Sequence, residues 1–169
     1  GLSLVGSEMC IRDSPRCAVK SGHGVGKTAV LSWLILWWIF TRHPCKVVCT
    51  ANTAHQLSDV LWAEAQKWAR RLPESFYSQM DMKSDKINIA GSTDSYAVAR
   101  VSRRENPEAL QGFHSENLLF IIDEASGVDD KIFEVGEGSL STAGAKVVMT
   151  GNPTRTSGYF LSLIHISEP

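Results

Sequence analysis

The chain has no surplus of charge, no metal-spaced cysteines and no apolar run long enough to span a membrane, and each absence removes a class of function. Lys and Arg number 17 against 18 Asp and Glu, a formal net charge of -1 over 169 residues. So even a balance gives no global field for holding a polyanion. Any nucleic-acid contact has to come from local patches, for which Lys67, Arg70 and Arg71, or Arg100, Arg103 and Arg104, are candidates; solvated faces are the default reading of both. The cysteines, Cys10, Cys17, Cys45 and Cys49, form no C-x-x-C pair and no His-flanked spacing, which fits reduced thiols in a cytosolic setting, with Cys45 and Cys49 lining a strand. The longest apolar run, Ala29 to Phe40 (AVLSWLILWWIF), stops at Thr41-Arg42, short of the roughly 20 residues that a span requires. It reads as a helix buried against a sheet. Repeats and low-complexity tracts are missing too. With 43% hydrophobic and 21% charged residues, what remains is the composition of one soluble globular domain.

The two ends do not read as protein. Gly6 to Ser14 (GSEMCIRDS) can be encoded by GGC TCG GAG ATG TGT ATA AGA GAC AGN, and the reverse complement, CTG TCT CTT ATA CAC ATC TCC GAG CC, encodes Leu161 to Pro169 (LSLIHISEP). One DNA sequence, resembling the transposon-end adapter of sequencing libraries, accounts for both tails. Residues 1–14 and 161–169 are therefore expected to be read-through, Leu2 to Val5 is not a signal peptide, and 15–160 is a partial domain whose natural ends lie elsewhere.

Within that segment, Ser21-Gly22-His23-Gly24-Val25-Gly26-Lys27-Thr28 reads as a loop that wraps phosphates. Its glycines let backbone N–H groups crowd an anion, Lys27 can reach the β- and γ-phosphates, and the Thr28 hydroxyl can ligate Mg²⁺. The pattern G-x-x-x-x-G-K-[ST] is met except that Ser21 stands at the first glycine. Both flanks fit: Cys17-Ala18-Val19 as a strand before the loop, Ala29 to Phe40 as a helix whose N-terminus favours the anion.

Strand and helix signals then alternate. Lys46 to Thr50 reads as a buried strand. Ala54 to Leu72 reads as an amphipathic helix with Leu57, Leu61, Ala65, Trp68 and Leu72 on one stripe, stopped by Pro73. Ile87 to Ala90 and Tyr96 to Ser102 alternate around Gly91-Ser92-Thr93-Asp94 like a hairpin or an edge insertion. Leu118 to Ile122 and Lys146 to Thr150 are continuous apolar runs of the kind found in central parallel strands, with a helix expected over Asp130 to Leu140. The expected fold is α/β, a P-loop NTPase with a mainly parallel central sheet and helices on both faces. In such sheets ligands sit beyond the carboxyl ends of the strands.

Every polar motif falls at such an end. Asp123 and Glu124 follow Leu118 to Ile122 directly, where ionised groups are costly unless they meet a metal or a reacting water. Asp123 would hold Mg²⁺ opposite Thr28, and Glu124 would orient and deprotonate the attacking water. Thr150-Gly151-Asn152 follows the last apolar strand, where an amide can sense the γ-phosphate; a plain turn at Asn152-Pro153 explains the same residues. Thr50 to Thr53 and Gln56 could face nucleotide or DNA. His23, His55 and His114 have no partner pattern, and Trp33, Trp37, Trp38, Trp62 and Trp68 lie at helical spacings that read as core.

Taken as a set, VKSGHGVGKTA, VVCTANTAHQLSDVLWAE, PEALQGFHSENLLFIIDEASGV and VVMTGNPTRTSGYF resemble the ATPase domain of the large terminase subunit of tailed phages, across nearly all of 15–160. The resemblance implies an additional-strand, catalytic-glutamate ATPase. In it, Lys27 and Thr28 act on phosphates and Mg²⁺, Asp123 on Mg²⁺, Glu124 as the catalytic carboxylate and Thr150 to Asn152 as the coupling motif. It implies ATP as substrate, duplex DNA, a portal protein and a small terminase subunit as partners, a homo-oligomeric ring, and the host cytoplasm as the location. Two departures stand out. Many family members carry an arginine inside the phosphate loop, whereas Gly22, His23 and Gly24 stand here; Arg103, Arg104 or Arg155 could take that role. The nuclease domain that follows in the family is not in this chain, so no DNA cleavage is expected of it. The alternatives are a helicase-like ATPase, a small phosphotransferase, which would need an acceptor site and a lid, or a nucleotide-gated module without turnover.

Overall fold

The computed structural model describes residues 16–22, 24–101, 110, 112–139, 144–154 and 157–166. His23, Arg103, Arg104, Arg155, Leu140 and the first tail lie outside them. The elements run β1 (Arg16–Lys20), α1 (Lys27–Thr41), β2 (Cys45–Ala51), a π-helical stretch Gln56–Trp62 continuing into an α-helical one Ala63–Ala69 (together α2), and α3 (Glu74–Tyr77). Then come β3 (Met80–Met82), β4 (Lys86–Ile89), β5 (Tyr96–Ala99), β6 (Asn117–Asp123), a 3₁₀ turn Ala125–Gly127, α4 (Asp130–Ser139), β7 (Lys146–Gly151) and α5 (Tyr159–Ile166).

The strands form one sheet in the order β1-β7-β6-β2-β5-β4-β3. The first five of these are mutually parallel; β4 and β3 add on antiparallel, so the expected hairpin is an edge insertion with one strand more than the sequence showed. Strand β7 lies between the phosphate-loop strand β1 and the Asp-Glu strand β6, the additional-strand arrangement.

Chain direction fixes which helix covers which face. From β1 to β2 and from β2 to β5 the chain advances across the sheet, and α1 and α2 pack on one side with Val47, Cys49, Leu119 and Ile121. From β6 to β7 it steps back, and Ile132 and Phe133 of α4 pack on the other side with Val48, Phe120, Ile122 and Met149. Opposite travel on opposite faces gives these crossovers the same hand, as right-handed βαβ units require. The central strands are buried on both faces, which is why β6 reads as an unbroken apolar run.

One sequence expectation changes. The expected Trp core holds for Trp62 and Trp38, 2% and 5% exposed, but Trp33 and Trp37 are 48% and 49% exposed. Helix α1 is apolar around its whole circumference, so helical spacing alone could not say which tryptophans face the sheet. In the second tail, residues 161–166 continue α5, with Phe160 and Ile164 buried over the sheet at i,i+4 spacing. No described helix is long and apolar enough to cross a membrane.

Candidate active site

Four elements meet at the carboxyl end of the sheet. The phosphate loop leaves β1 at Ser21, whose N–H donates to the Gly151 carbonyl (3.1 Å), so the start of the loop is tied to the end of β7. Gly24 and Gly26 have φ of 72° and 88°, a region that glycine enters at no steric cost. Gly26 caps α1 with its backbone alone and no side-chain hydrogen bond. The first N–H groups of α1 therefore point into the loop, where the helix dipole favours an anion. Lys27, 8% exposed, donates through Nζ to the Gly22 carbonyl at 2.9 Å and lies 3.5 Å from Glu124 Oε1. Thr28 is half-buried in the first turn, with Ser32 Oγ donating to its carbonyl at 2.7 Å.

Asp123 ends β6 at 1% exposure. Its Oδ1 accepts from Thr150 Oγ1 (2.7 Å) and from the Glu124 N–H (2.9 Å), while the buried Oδ2 has no partner. Burial pushes the Asp123 carboxyl above its ordinary range, against the lowering effect of these two hydrogen bonds. Ser21 Oγ and Thr50 Oγ1 are likewise buried without a partner. Ser21, Thr50 and Asp123 all lie at the carboxyl ends of β1, β2 and β6. Orphaned buried polar atoms are rare in folded proteins, and among the described residues three of the four, all but Trp62 Nε1, gather where a polar ligand would sit. An orphaned carboxylate oxygen at the end of β6, with the Thr28 hydroxyl in the first turn of α1 and the loop before it, is a donor set suited to Mg²⁺, which keeps waters and takes one or two carboxylates plus phosphate oxygens. No group of three or more His, Cys, Asp or Glu exists among the described residues to hold a metal by protein ligands alone.

Glu124 was singled out by sequence for its carboxylate, but its backbone was not. It has φ 50° and ψ 46°, the single non-glycine positive φ among the described residues. Residues held this way cost about 1–3 kcal/mol and persist where the surroundings over-determine them. Beside it opens a cavity of about 410 Å³, lined by Asn52 and Thr53 just after β2, by Gln56 at the start of α2, by Glu124 and Gly127, and by Asn152 and Thr154 beyond β7. The structure thus gathers Ser21, Gly22, Gly24, Val25, Gly26, Lys27, Thr28, Asp123, Glu124, Thr150, Gly151 and Asn152 at one sheet end. The described members of the basic patches have local partners, while Arg103 and Arg104 lie outside the described residues. Lys67 pairs with Glu64 (3.0 Å), Arg71 lies over Trp68 and Arg100 pairs with Asp85 (2.8 Å).

Comparison with known proteins converges on one group. The chain is 32% identical over 158 residues to the probable terminase large subunit of Enterobacteria phage P7, an alignment covering 91% of this chain and 32% of that protein. It thus spans about a third of that relative's length. Among solved structures, the large terminase ATPase domain of Thermus phage P74-26 superposes with a TM-score of 0.69 at 18% identity, covering 87% of this chain and 62% of that one. The large terminase of another thermophilic bacteriophage, in complex with ADP, superposes at 0.59 and 14% identity, over 78% and 32% of the two chains. No family model matches.

Proposed function

We propose that this chain, which has the P-loop NTPase fold and fits the ATPase domain of a terminase large subunit, hydrolyses ATP to drive duplex DNA into a procapsid. The observation carrying this reading is the convergence of Lys27, Asp123, Glu124 and Thr150 at one sheet end around buried, unpartnered oxygens. Nucleotide binding is further supported by the thermophilic-phage large terminase structures in complex with ADP and with ATP-γ-S.

The phosphates of ATP lie over the N-terminus of α1, where loop N–H groups and Lys27 take the negative charge. Thr28 and Asp123 would hold Mg²⁺, which when bound would neutralise charge developing on the phosphate oxygens. Lys27 leaves the Gly22 carbonyl for the β- and γ-phosphates, and Glu124 is then released to the water. The water oxygen attacks the γ-phosphorus, Glu124 accepts its proton, and the bond to the β-phosphate oxygen breaks to give ADP and inorganic phosphate. Thr150 grips Asp123, and Gly151 grips the start of the loop, so β7 is mechanically tied to both phosphate-binding strands. That tie suits Thr150 to Asn152 to coupling γ-phosphate loss to motion. Arg103, Arg104 or Arg155 would supply the arginine that the loop lacks, from the same subunit or a neighbouring one.

In the whole protein this domain works in a homo-oligomeric ring on a portal protein with a small terminase subunit, in the host cytoplasm, ahead of a nuclease domain. Residues 1–14 and 161–169 are read-through, and intact source DNA should lack these codons at both places. The deciding assay is Mg²⁺-dependent ATP hydrolysis by the full-length protein with and without duplex DNA. DNA-stimulated phosphate release is expected, whereas phosphoryl transfer to a small acceptor with no response to DNA would favour the phosphotransferase reading.

A further inference from the structure

We infer that the cavity beside Glu124 is a second phosphate subsite, the path by which inorganic phosphate leaves, an inference that rests on Glu124 being the carboxylate that activates water. Stereochemistry sets the direction of departure. In an in-line displacement the water attacks the γ-phosphorus on the side opposite the bond that breaks, so the freed phosphate lies between ADP and Glu124. ADP and the phosphate loop close the way back. On one side Glu124 meets Lys27 of that loop at 3.5 Å. On the other it lines the cavity of about 410 Å³, to whose described wall no residue from Ser21 to Thr28 contributes. Glu124 thus stands between the loop and the cavity. A water takes about 30 Å³ of the liquid, so there is room for phosphate with hydrating waters.

The wall has the chemistry of a site that binds an oxyanion and lets it go. Six neutral side chains form it with Glu124: Asn52 and Thr53 after β2, Gln56 at the start of α2, Ser126 in the turn after Glu124, and Asn152 and Thr154 after β7. Gln56, Ser126 and Asn152 are half-buried like Glu124, whereas Asn52, Thr53 and Thr154 are exposed, so the cavity runs from the carboxylate out to solvent. Thr53 Oγ1 accepts from the Gln56 N–H at 3.1 Å, which leaves the hydroxyl proton of Thr53 free to donate. Amides and hydroxyls donate to phosphate oxygens without a formal charge. With no Lys or Arg in the described wall, the hold on phosphate is weak. Glu124, the one charged group in that wall, is neutral when the phosphate is freed, because it has just taken the proton of the attacking water. Passing that proton to a phosphate oxygen sends the product out as dihydrogen phosphate and restores a carboxylate that repels it.

The test is equilibrium dialysis of radiolabelled inorganic phosphate against the full-length protein saturated with Mg²⁺ and ADP, a measurement that needs no turnover. Gln56→Lys puts a positive charge in the wall and should tighten phosphate about tenfold, and Gln56→Glu should loosen it about tenfold. Opposite shifts from one position do not arise from a damaged fold. During turnover, phosphate release followed with a fluorescent phosphate-binding protein should lag behind cleavage in Gln56→Lys. Duplex DNA affinity of the same variants separates the two sources of phosphate. Shifts for DNA with none for inorganic phosphate would give the cavity to the nucleic-acid backbone and overturn the inference. Unchanged phosphate affinity in both variants, alongside an inactive Glu124→Gln, overturns this inference alone. Continued hydrolysis in Glu124→Gln overturns the reading beneath it as well.

Discussion

Asp123 sits in an environment that suits it only when something positive arrives. Its carboxyl is held above the ordinary range by burial, so the folded protein binds a proton there more tightly than the unfolded chain does. Stability contributed at this site is thus present at low pH and is lost as pH rises from the ordinary aspartate value through the raised one. Asp123→Asn removes the penalty. Without nucleotide at neutral pH it should be more stable than the unaltered protein, and the gap should close below the ordinary aspartate value. With Mg²⁺ and ATP present the order should reverse, since the variant lacks the proposed metal ligand. Urea unfolding across pH with and without Mg·ATP reads both effects. At this scale the sequence was informative about chemistry and blind to conformation. The carboxylates of Asp123 and Glu124 were legible from their place after an apolar strand. The left-handed backbone of Glu124 was not, because hydrophobic pattern carries no information on the sign of φ.

At the scale of elements, periodicity located β1, α1, β2, β6 and β7 to within a residue or two, since these are strongly patterned and bounded by loops with clear turn chemistry. It missed the short β3 and α3, too brief to carry a period, and the π-helical start of α2, a hydrogen-bonding shift that hydrophobic spacing does not encode. Helix α1 shows the limit most clearly. Being apolar all round, it gave no sign that Val30, Trp33 and Trp37 face outward. Trp62→Ala should therefore cost about 3–5 kcal/mol, as for other buried aromatics. Trp33→Gln, which loses mainly an edge contact with Trp68 at 5.0 Å between ring centroids, should cost no more than about 1.5 kcal/mol. Chemical denaturation of the two variants checks the contrast, and equal losses would mean that the outer face of α1 is packed.

At the scale of the molecule, the net charge of -1 leaves no global field, and the mostly buried Lys27–Glu124 pair at the sheet end stands apart from exposed surface pairs such as Arg100–Asp85. The sheet order was legible only as a class: alternating strands and helices imply a parallel sheet, but crossover handedness and register decide that β7 separates β1 from β6 and brings Thr150 to Asp123. That placement ties the phosphate loop to the strand proposed to transmit its state. The central claim is that Glu124 performs hydrolysis on ATP held by Ser21 to Thr28, and the most direct measurement compares ATP binding with turnover in Glu124→Gln. The account predicts ATP affinity at least equal to that of the unaltered protein, with hydrolysis slowed by about 10²–10⁴-fold. Turnover within tenfold of the unaltered protein would contradict it.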